Sequence, residues 1–197
     1  MEQVSPGCDG FSLVELLLVV AIILVLSTLY FGPSSGSRKR ALHAACQKNL
    51  QKLYVAMQIY ANDSGGVYPK VPAARTSAEA LDALVPRYTS DTSVFICPAG
   101  DDSPLKGGSI KKHKISYAYY MGRGVTNSAE ALVTDKQVDA LAKGAGQPIF
   151  SSTGKPPGNN HGKAGGNLLY CDGHLESMPP SASAPLGLST GEVLLNP

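Results

Sequence analysis

An apolar run near the N terminus constrains this chain more than any other feature. Residues 11–31 contain a single charged side chain, Glu15. As an α-helix the run would extend about 31 Å at roughly 1.5 Å per residue, which matches a hydrocarbon core of about 30 Å. A secretory signal has a shorter apolar region of about 7–15 residues and a small-residue cleavage site, which Ser34-Ser35-Gly36 matches poorly. The run therefore predicts a retained, single-pass transmembrane helix.

Glu15 needs an explanation within this run. A carboxylate at the centre of a membrane helix costs roughly 2.5–3.5 kcal/mol, and less near the interface. One interpretation is a boundary residue whose side chain extends to the headgroups. The other is that Glu15 pairs with a positive group in an assembly, because an unpaired charge is unfavourable at low dielectric.

The hexapeptide Gly10-Phe11-Ser12-Leu13-Val14-Glu15, followed by the apolar run, resembles the class III signal of type IV pilins and type II secretion pseudopilins. The resemblance implies cleavage after Gly10 by a prepilin peptidase and N-methylation of Phe11. It also implies that Glu15 pairs with the new ammonium group of Phe11, in its own subunit or a neighbour, and fixes the assembly register. The leader departs from the family pattern because residues 1–10 contain no Lys or Arg.

This resemblance implies a structural, non-enzymatic subunit of a type II secretion pseudopilus. Its implied partners are prepilin peptidase, other pilin or pseudopilin subunits and the bacterial inner membrane, with the C-terminal domain in the periplasm. The formal net charge of +2 gives no reason to expect nucleic acid. The alternatives are a type IV pilus major or minor pilin in adhesion or DNA uptake, and a secreted soluble domain behind a cleaved signal peptide.

The remaining chain predicts an α+β, pilin-like fold in which a long N-terminal helix packs on a small antiparallel β-sheet. Apolar residues between Leu42 and Tyr60 recur at three- and four-residue spacing, which predicts an amphipathic helix with Ser37 as its N-cap and a stop near 62–66. The expected parts are a leader (1–10), a transmembrane and filament-core helix (11–31), its amphipathic continuation (32–64), a globular α+β domain (65–178) and a flexible tail (179–197).

Short segments of the globular part carry their own patterns. Residues 76–88 predict a short helix, and residues 93–98 a strand or loop. Residues 115–122 and 129–136 predict strands. Residues 166–178 predict two short strands joined by a turn at Asp172-Gly173.

The four cysteines, Cys8, Cys46, Cys97 and Cys171, show no C-x-x-C spacing, so we expect no zinc site. In a domain outside the cytoplasm, Cys46 and Cys97 are candidates for a disulfide between the amphipathic helix and the segment at 93–98. Two buried free thiols are the alternative.

The segment containing His161, Asp172 and His174 invites a catalytic or metal-binding interpretation. It lacks an activated nucleophile and offers one carboxylate, so we expect no catalytic residue and no metal there. The segment resembles the C-terminal H-x9-DG signature of prepilin-type proteins, with ten residues instead of nine between His161 and Asp172. We expect a structural role, in which His161 and Asp172 form a hydrogen bond beside the turn at Gly173.

No cofactor is expected from the sequence. Calcium is a weaker alternative, because it takes six to eight oxygen ligands and the candidate carboxylates lie in unconnected segments. These candidates are Asp101, Asp102 and Asp172.

Overall fold

The computed structural model describes residues 11–31, 35–105, 107–180 and 185–197. The chain divides into two compact units, residues 1–40 and residues 41–197. The predicted leader, including Gly10 and Cys8, lies outside the described residues.

The first unit contains helix α1, Leu13–Phe31, which is formed by the apolar run. Helix α2, Ser35–Asp63, begins in this unit and continues into the second. It begins two residues before the predicted N-cap, so Ser37 lies inside the helix. Its end agrees with the predicted stop, because Gly65 and Gly66, which follow it, have positive φ angles that do not continue a helix.

One face of α2 forms the centre of the main core of the second unit. The predicted three- and four-residue spacing is present, and the side chains on this face are completely or almost completely buried: Cys46, Leu50, Leu53, Met57 and Ala61. This face packs against the sheet, which confirms the predicted packing of the helix on a β-sheet.

The sheet has five antiparallel strands in the order β4-β3-β2-β1-β5. The strands are β1 Tyr117–Met121, β2 Ala131–Asp135, β3 Gly166–Tyr170, β4 Leu175–Met178 and β5 Val193–Leu195. Strands β1 to β4 lie within the segments predicted as strands. The predicted α+β class is therefore confirmed.

Alternating residues place the sheet between two apolar clusters. Tyr117, Tyr119 and Leu195 face the cluster that contains α2. Ala118, Tyr120 and Leu194 face a smaller cluster with Phe150 and Leu186 on the other side of the sheet. Both faces of the central strands are buried, and most of their side chains are apolar; the buried polar exceptions are Thr134, Asp135 and Asn167.

Two segments refine the sequence predictions. Residues 93–98, predicted as a strand or loop, form no strand; they overlap a 3-10 turn, Thr92–Phe95, whose start is capped by the Asp91 carboxylate, which accepts a hydrogen bond from the backbone N–H of Ser93 at 3.1 Å. The segment predicted as a flexible tail contains β5, which pairs with β1 through Tyr119 and Leu195.

The predicted helix at 76–88 is shorter than expected. Helix α3, Ser77–Leu81, continues as a 3-10 turn, Asp82–Leu84. The Thr76 hydroxyl accepts a hydrogen bond from the backbone N–H of Glu79 and caps the helix start.

Candidate functional site

The N-terminal motif places its carboxylate in the first turn of α1. The Ser12 carbonyl oxygen accepts hydrogen bonds from the backbone N–H groups of Glu15 and Leu16 at 3.0 and 3.1 Å. The helix therefore begins at Leu13, two residues after Phe11, whose side chain is 77% exposed. Glu15 is also exposed. A negative charge is favourable in a first turn because the N-terminal end of a helix carries partial positive charge.

Helix α1 presents an apolar surface. Every residue from Phe11 to Leu26 is exposed, and nearly all of them are apolar. The hydroxyl groups of Ser27 and Thr28 donate to backbone carbonyls of their own helix at 2.7 Å, so neither needs an outside partner. The sequence predicts a transmembrane helix at residues 11–31, but within the part of the chain that the structure describes no helix has the length and apolar character needed to cross a membrane. An apolar surface of this extent marks an interaction site.

A second cluster of chemically active side chains lies inside the unit 41–197. Two thiols, one carboxylate and one imidazole converge, and their potential ligand atoms all lie within 4.8 Å of one another. The side chains of the thiols and the carboxylate are fully buried, and that of the imidazole is 3% exposed. The members of this Cys–Asp–His cluster are Cys46, Cys97, Asp135 and His161.

Helix α2 positions both sulfur atoms of the cluster. Cys46 lies on its buried face, and Asn49, almost one turn later, donates from Nδ2 to the carbonyl oxygen of Ile96 at 2.9 Å. This hydrogen bond holds the segment that follows the 3-10 turn Thr92–Phe95 against α2, which places Cys97 next to Cys46. The Tyr117 hydroxyl lies 3.2 Å from the Cys46 sulfur.

The carboxylate of Asp135, at the end of β2, is held by two asparagines. Asn160 donates from Nδ2 to Oδ1 at 2.6 Å. Asn167 donates to Oδ2 from its backbone N–H at 2.6 Å and from Nδ2 at 2.9 Å. His161 follows Asn160 directly, so the same loop carries the imidazole into the cluster. A buried carboxylate is tolerated here because its oxygens accept several hydrogen bonds.

Three distances define the cluster. Sγ of Cys46 lies 3.5 Å from Oδ1 of Asp135. Sγ of Cys97 lies 3.6 Å from Nε2 of His161, and the same nitrogen lies 3.2 Å from Oδ2 of Asp135. The His161 ring also packs on His43, with 4.4 Å between the ring centroids.

The protonation preferences of the two thiols differ. The hydrogen bond from Cys46 lowers the pKa of Cys97 to about 6; burial opposes this shift and the contact with His161 reinforces it. Burial, followed by the same Cys46–Cys97 contact, raises the pKa of Cys46 far above its ordinary value. Cys97 is therefore the thiol that more readily becomes a thiolate.

The imidazole of His161 favours its charged form. Burial alone would lower the pKa of His161, but the hydrogen bond to Asp135 and the contact with Cys97 outweigh it and raise the pKa to about 10. The charged form of the imidazole is therefore favoured between the Cys97 sulfur and the Asp135 carboxylate.

This geometry does not match a nucleophilic catalytic triad. In a triad, the nucleophile and the carboxylate contact opposite nitrogens of the imidazole, so that a proton can pass across the ring. Here Nε2 of His161 faces both Cys97 and Asp135. Cys97 is also fully buried, which prevents a substrate from reaching its sulfur. The arrangement instead directs sulfur, nitrogen and oxygen atoms towards a common centre.

The structure brings the predicted pair Cys46 and Cys97 together. Both are free thiols, and so is the buried Cys171. The predicted disulfide between Cys46 and Cys97 stays a prediction.

The predicted hydrogen bond between His161 and Asp172 does not form. His161 pairs instead with Asp135 and Cys97, because the loop before β3 turns it into the core. The Asp172 carboxylate accepts from the backbone N–H of His174 at 2.8 Å and stabilises the turn between β3 and β4. Gly173 lies in that turn, as predicted, with a φ of +89°.

Sequence reasoning missed Asp135 and the two asparagines that bind it. Residues 129–136 were predicted only as a strand, and β2 is indeed buried along its entire length. A carboxylate at the end of a strand with both faces buried is the signal that could have indicated a buried polar partner.

Two of the three proposed calcium ligands, Asp102 and Asp172, have other partners. Asp102 binds the Lys136 ammonium group and the Ser116 hydroxyl, both at 2.6 Å. Among the described residues, the Cys–Asp–His cluster is the one group of three or more Cys, His, Asp or Glu side chains with convergent ligand atoms. It contains neither Asp101 nor Asp172, and calcium binding stays a prediction.

Comparison with known proteins supports the interpretation of the N terminus. Residues 6–31 match the family model described as the prokaryotic N-terminal methylation motif. No curated protein and no solved structure matches the chain. The match confirms the predicted prepilin-type motif and supports a type IV pilin-like or pseudopilin subunit at the general level. Such a motif implies processing by prepilin peptidase and assembly with other pilin subunits. The resemblance to the H-x9-DG signature stays a prediction.

Proposed function

We propose that this chain is a structural subunit of a type II secretion pseudopilus and assembles through α1. The observation that carries the proposal is the match of residues 6–31 to the N-terminal methylation motif. Prepilin peptidase cleaves after Gly10, and Phe11 becomes the methylated N terminus. The exposed position of Phe11 ahead of α1 is compatible with both modifications.

We further propose that the apolar run 11–31 holds the subunit in the bacterial inner membrane before assembly, with residues 41–197 in the periplasm, although no described helix meets the length and hydropathy needed for a complete crossing. The exposed apolar side chains from Phe11 to Leu26 support this role. So do the hydroxyl groups of Ser27 and Thr28, which are satisfied by carbonyls of their own helix. The same apolar surface would pack between neighbouring helices in the filament core.

Glu15 sets the axial register in this proposal. Cleavage creates an ammonium group at Phe11, one helical turn from the carboxylate. An apolar filament core disfavours an isolated charge, so the lowest-energy arrangement pairs each Glu15 carboxylate with a Phe11 ammonium group. Pairing between neighbouring subunits would then fix their relative height.

The test replaces Glu15 by Gln, which preserves the size of the side chain, and by Ala, in the native host. Both variants should enter the membrane fraction as the wild type does. When neighbouring subunits are chemically cross-linked, both variants should yield few multimers, because the charge pair that sets the register between subunits is missing. Leu141→Ala is the control, since Leu141 is an exposed apolar residue outside α1. Normal incorporation of both Glu15 variants into filaments would contradict the role of this carboxylate.

A further inference from the structure

We propose that Cys46, Cys97, Asp135 and His161 bind one zinc ion in a four-coordinate structural site. The four side chains come from α2, the segment after the 3-10 turn Thr92–Phe95, the end of β2 and the loop before β3. All of them belong to the unit 41–197, and the inference does not depend on the function proposed for α1.

The distances within the cluster fit a tetrahedral metal site. Zinc bonds of about 2.3 Å to sulfur and about 2.0–2.2 Å to nitrogen and oxygen place neighbouring ligand atoms about 3.4–3.8 Å apart in a tetrahedron. The observed separations are 3.5 Å from Cys46 Sγ to Asp135 Oδ1 and 3.6 Å from Cys97 Sγ to His161 Nε2. His161 Nε2 also lies 3.2 Å from Oδ2 of Asp135, the oxygen that accepts from Asn167, so this distance does not join two of the proposed ligand atoms.

The donor set selects the kind of metal. Two thiolates and one imidazole are ligands that zinc prefers, whereas calcium and magnesium bind mainly oxygen. Four protein ligands complete a zinc coordination sphere without water, which is typical of a structural site. The burial of all four side chains supports the same conclusion, because a catalytic zinc needs an open position for its substrate.

Residues around the cluster orient its ligands in the way that metal sites require. Asn160 and Asn167 together donate three hydrogen bonds to the Asp135 carboxylate and fix its plane. One of the three reaches Oδ1 and two reach Oδ2, so Oδ1 keeps a lone pair for a metal. The Tyr117 hydroxyl lies beside the Cys46 sulfur and can donate to its thiolate. Ligating carboxylates and thiolates commonly have such supporting hydrogen bonds.

Zinc explains the cluster better than a disulfide does. A disulfide would use Cys46 and Cys97 but gives no reason for Asp135 and His161 to converge on the same point. A zinc ion uses all four groups and compensates the buried negative charge of the thiolates and the carboxylate. Its binding displaces the protons of the thiols and the imidazole to solvent.

The direct test is the metal content of the full chain. Protein purified without chelators should contain about one zinc ion per chain, measured by elemental mass spectrometry. After zinc is removed, addition of Co²⁺ should produce visible bands of a tetrahedral site and a thiolate-to-metal charge-transfer band in the near ultraviolet. Both readouts use the wild type, so they do not depend on how well a variant folds.

Two matched variants locate the site. Cys97→Ser preserves the shape of the side chain but removes a sulfur ligand, and we expect zinc affinity to fall by about tenfold or more. Cys171→Ser makes the same change at a buried cysteine outside the cluster and should leave the zinc content and the Co²⁺ spectrum unchanged.

Three results would overturn the inference. One is wild-type protein that contains no zinc and gives no thiolate-to-Co²⁺ band. Another is unchanged zinc affinity in Cys97→Ser. The third is a disulfide between Cys46 and Cys97, detected by acid quenching and alkylation of intact cells followed by peptide mass analysis.

Discussion

The ring of Tyr54 lies against Gly173 so closely that a Cβ at Gly173 would come 2.7 Å from Cε1 of the ring. The Tyr54 hydroxyl donates to the carbonyl oxygen of Cys171 at 3.0 Å, just before the same turn. Gly173 also has a positive φ, a conformation that glycine adopts without steric cost. The turn between β3 and β4 is therefore fastened to α2 at a point where no side chain fits.

Replacing Gly173 by Ala should destabilise the unit 41–197 by about 2 kcal/mol or more, because it combines left-handed strain with overpacking against Tyr54. Chemical denaturation measures this change in the free energy of unfolding. Gly187→Ala is the control, since a Cβ there meets no atom within 4 Å and its φ is not in the left-handed region. Equal unfolding free energies of Gly173→Ala and Gly187→Ala would show that the Tyr54 ring leaves room for a side chain at Gly173.

Replacing Arg123 by Met should cost about 3–5 kcal/mol of unfolding free energy, because it leaves a largely buried carboxylate without its partner. Arg123 is 3% exposed, contacts Glu192 at 3.1 Å and donates to the Gly187 carbonyl at 2.8 Å. Arg87→Met removes an exposed pair with Asp63 and should cost less than about 1 kcal/mol. Thermal denaturation measures both variants. Similar losses of unfolding free energy in Arg123→Met and Arg87→Met would contradict the claim that the buried ion pair contributes more than the exposed one.

Acid should destabilise the unit 41–197 partly through Glu192. Burial opposes its charge, but the hydrogen bond from the Ser189 N–H and the contact with Arg123 outweigh burial and hold the pKa of Glu192 below its ordinary value. Its contribution is therefore present above the unfolded-state pKa of about 4.3 and is lost as pH falls through the lower folded-state pKa. In Glu192→Gln, unfolding free energy should decrease less steeply over this acidic range. If the unfolding free energies of Glu192→Gln and of the wild type fell in parallel with pH, the lowered pKa of Glu192 would be contradicted.

The sequence patterns predicted much of the fold because most elements carry a regular period. The spacing of buried residues along α2 identified its core face, and the Asp172-Gly173 pair identified the turn between β3 and β4. Strand β5 was missed as an element because three residues after a Pro- and Ser-rich segment carry little periodic signal. Its position depends on pairing with β1, which is a long-range interaction.

The two candidate sites differ in how far sequence alone could predict them. The N-terminal motif is contiguous, so its residues were identified together and the family match confirmed the motif. The Cys–Asp–His cluster joins four segments that are distant in sequence, and a search for C-x-x-C spacing does not detect such a site. Cys46 and Cys97 were paired correctly in space, whereas His161 was assigned the wrong carboxylate because Asp135 becomes its neighbour only through the fold.

Replacing Gly10 by Val should block processing, because the proposed cleavage follows Gly10. A larger, unprocessed species should then accumulate and be visible by immunoblotting of the native host. Gly36→Val is the control, since Gly36 ends the segment considered as a conventional signal-peptidase site. Normal processing of Gly10→Val together with impaired processing of Gly36→Val would favour the secreted-domain alternative.

The N-terminal sequence and mass of the mature protein, isolated from its native host, test the central proposal most directly. The proposed pseudopilin has a mature chain that begins at Phe11 and carries an N-methyl group. A mature chain that begins after Gly36, without methylation, would contradict both the processing and the filament role proposed for α1.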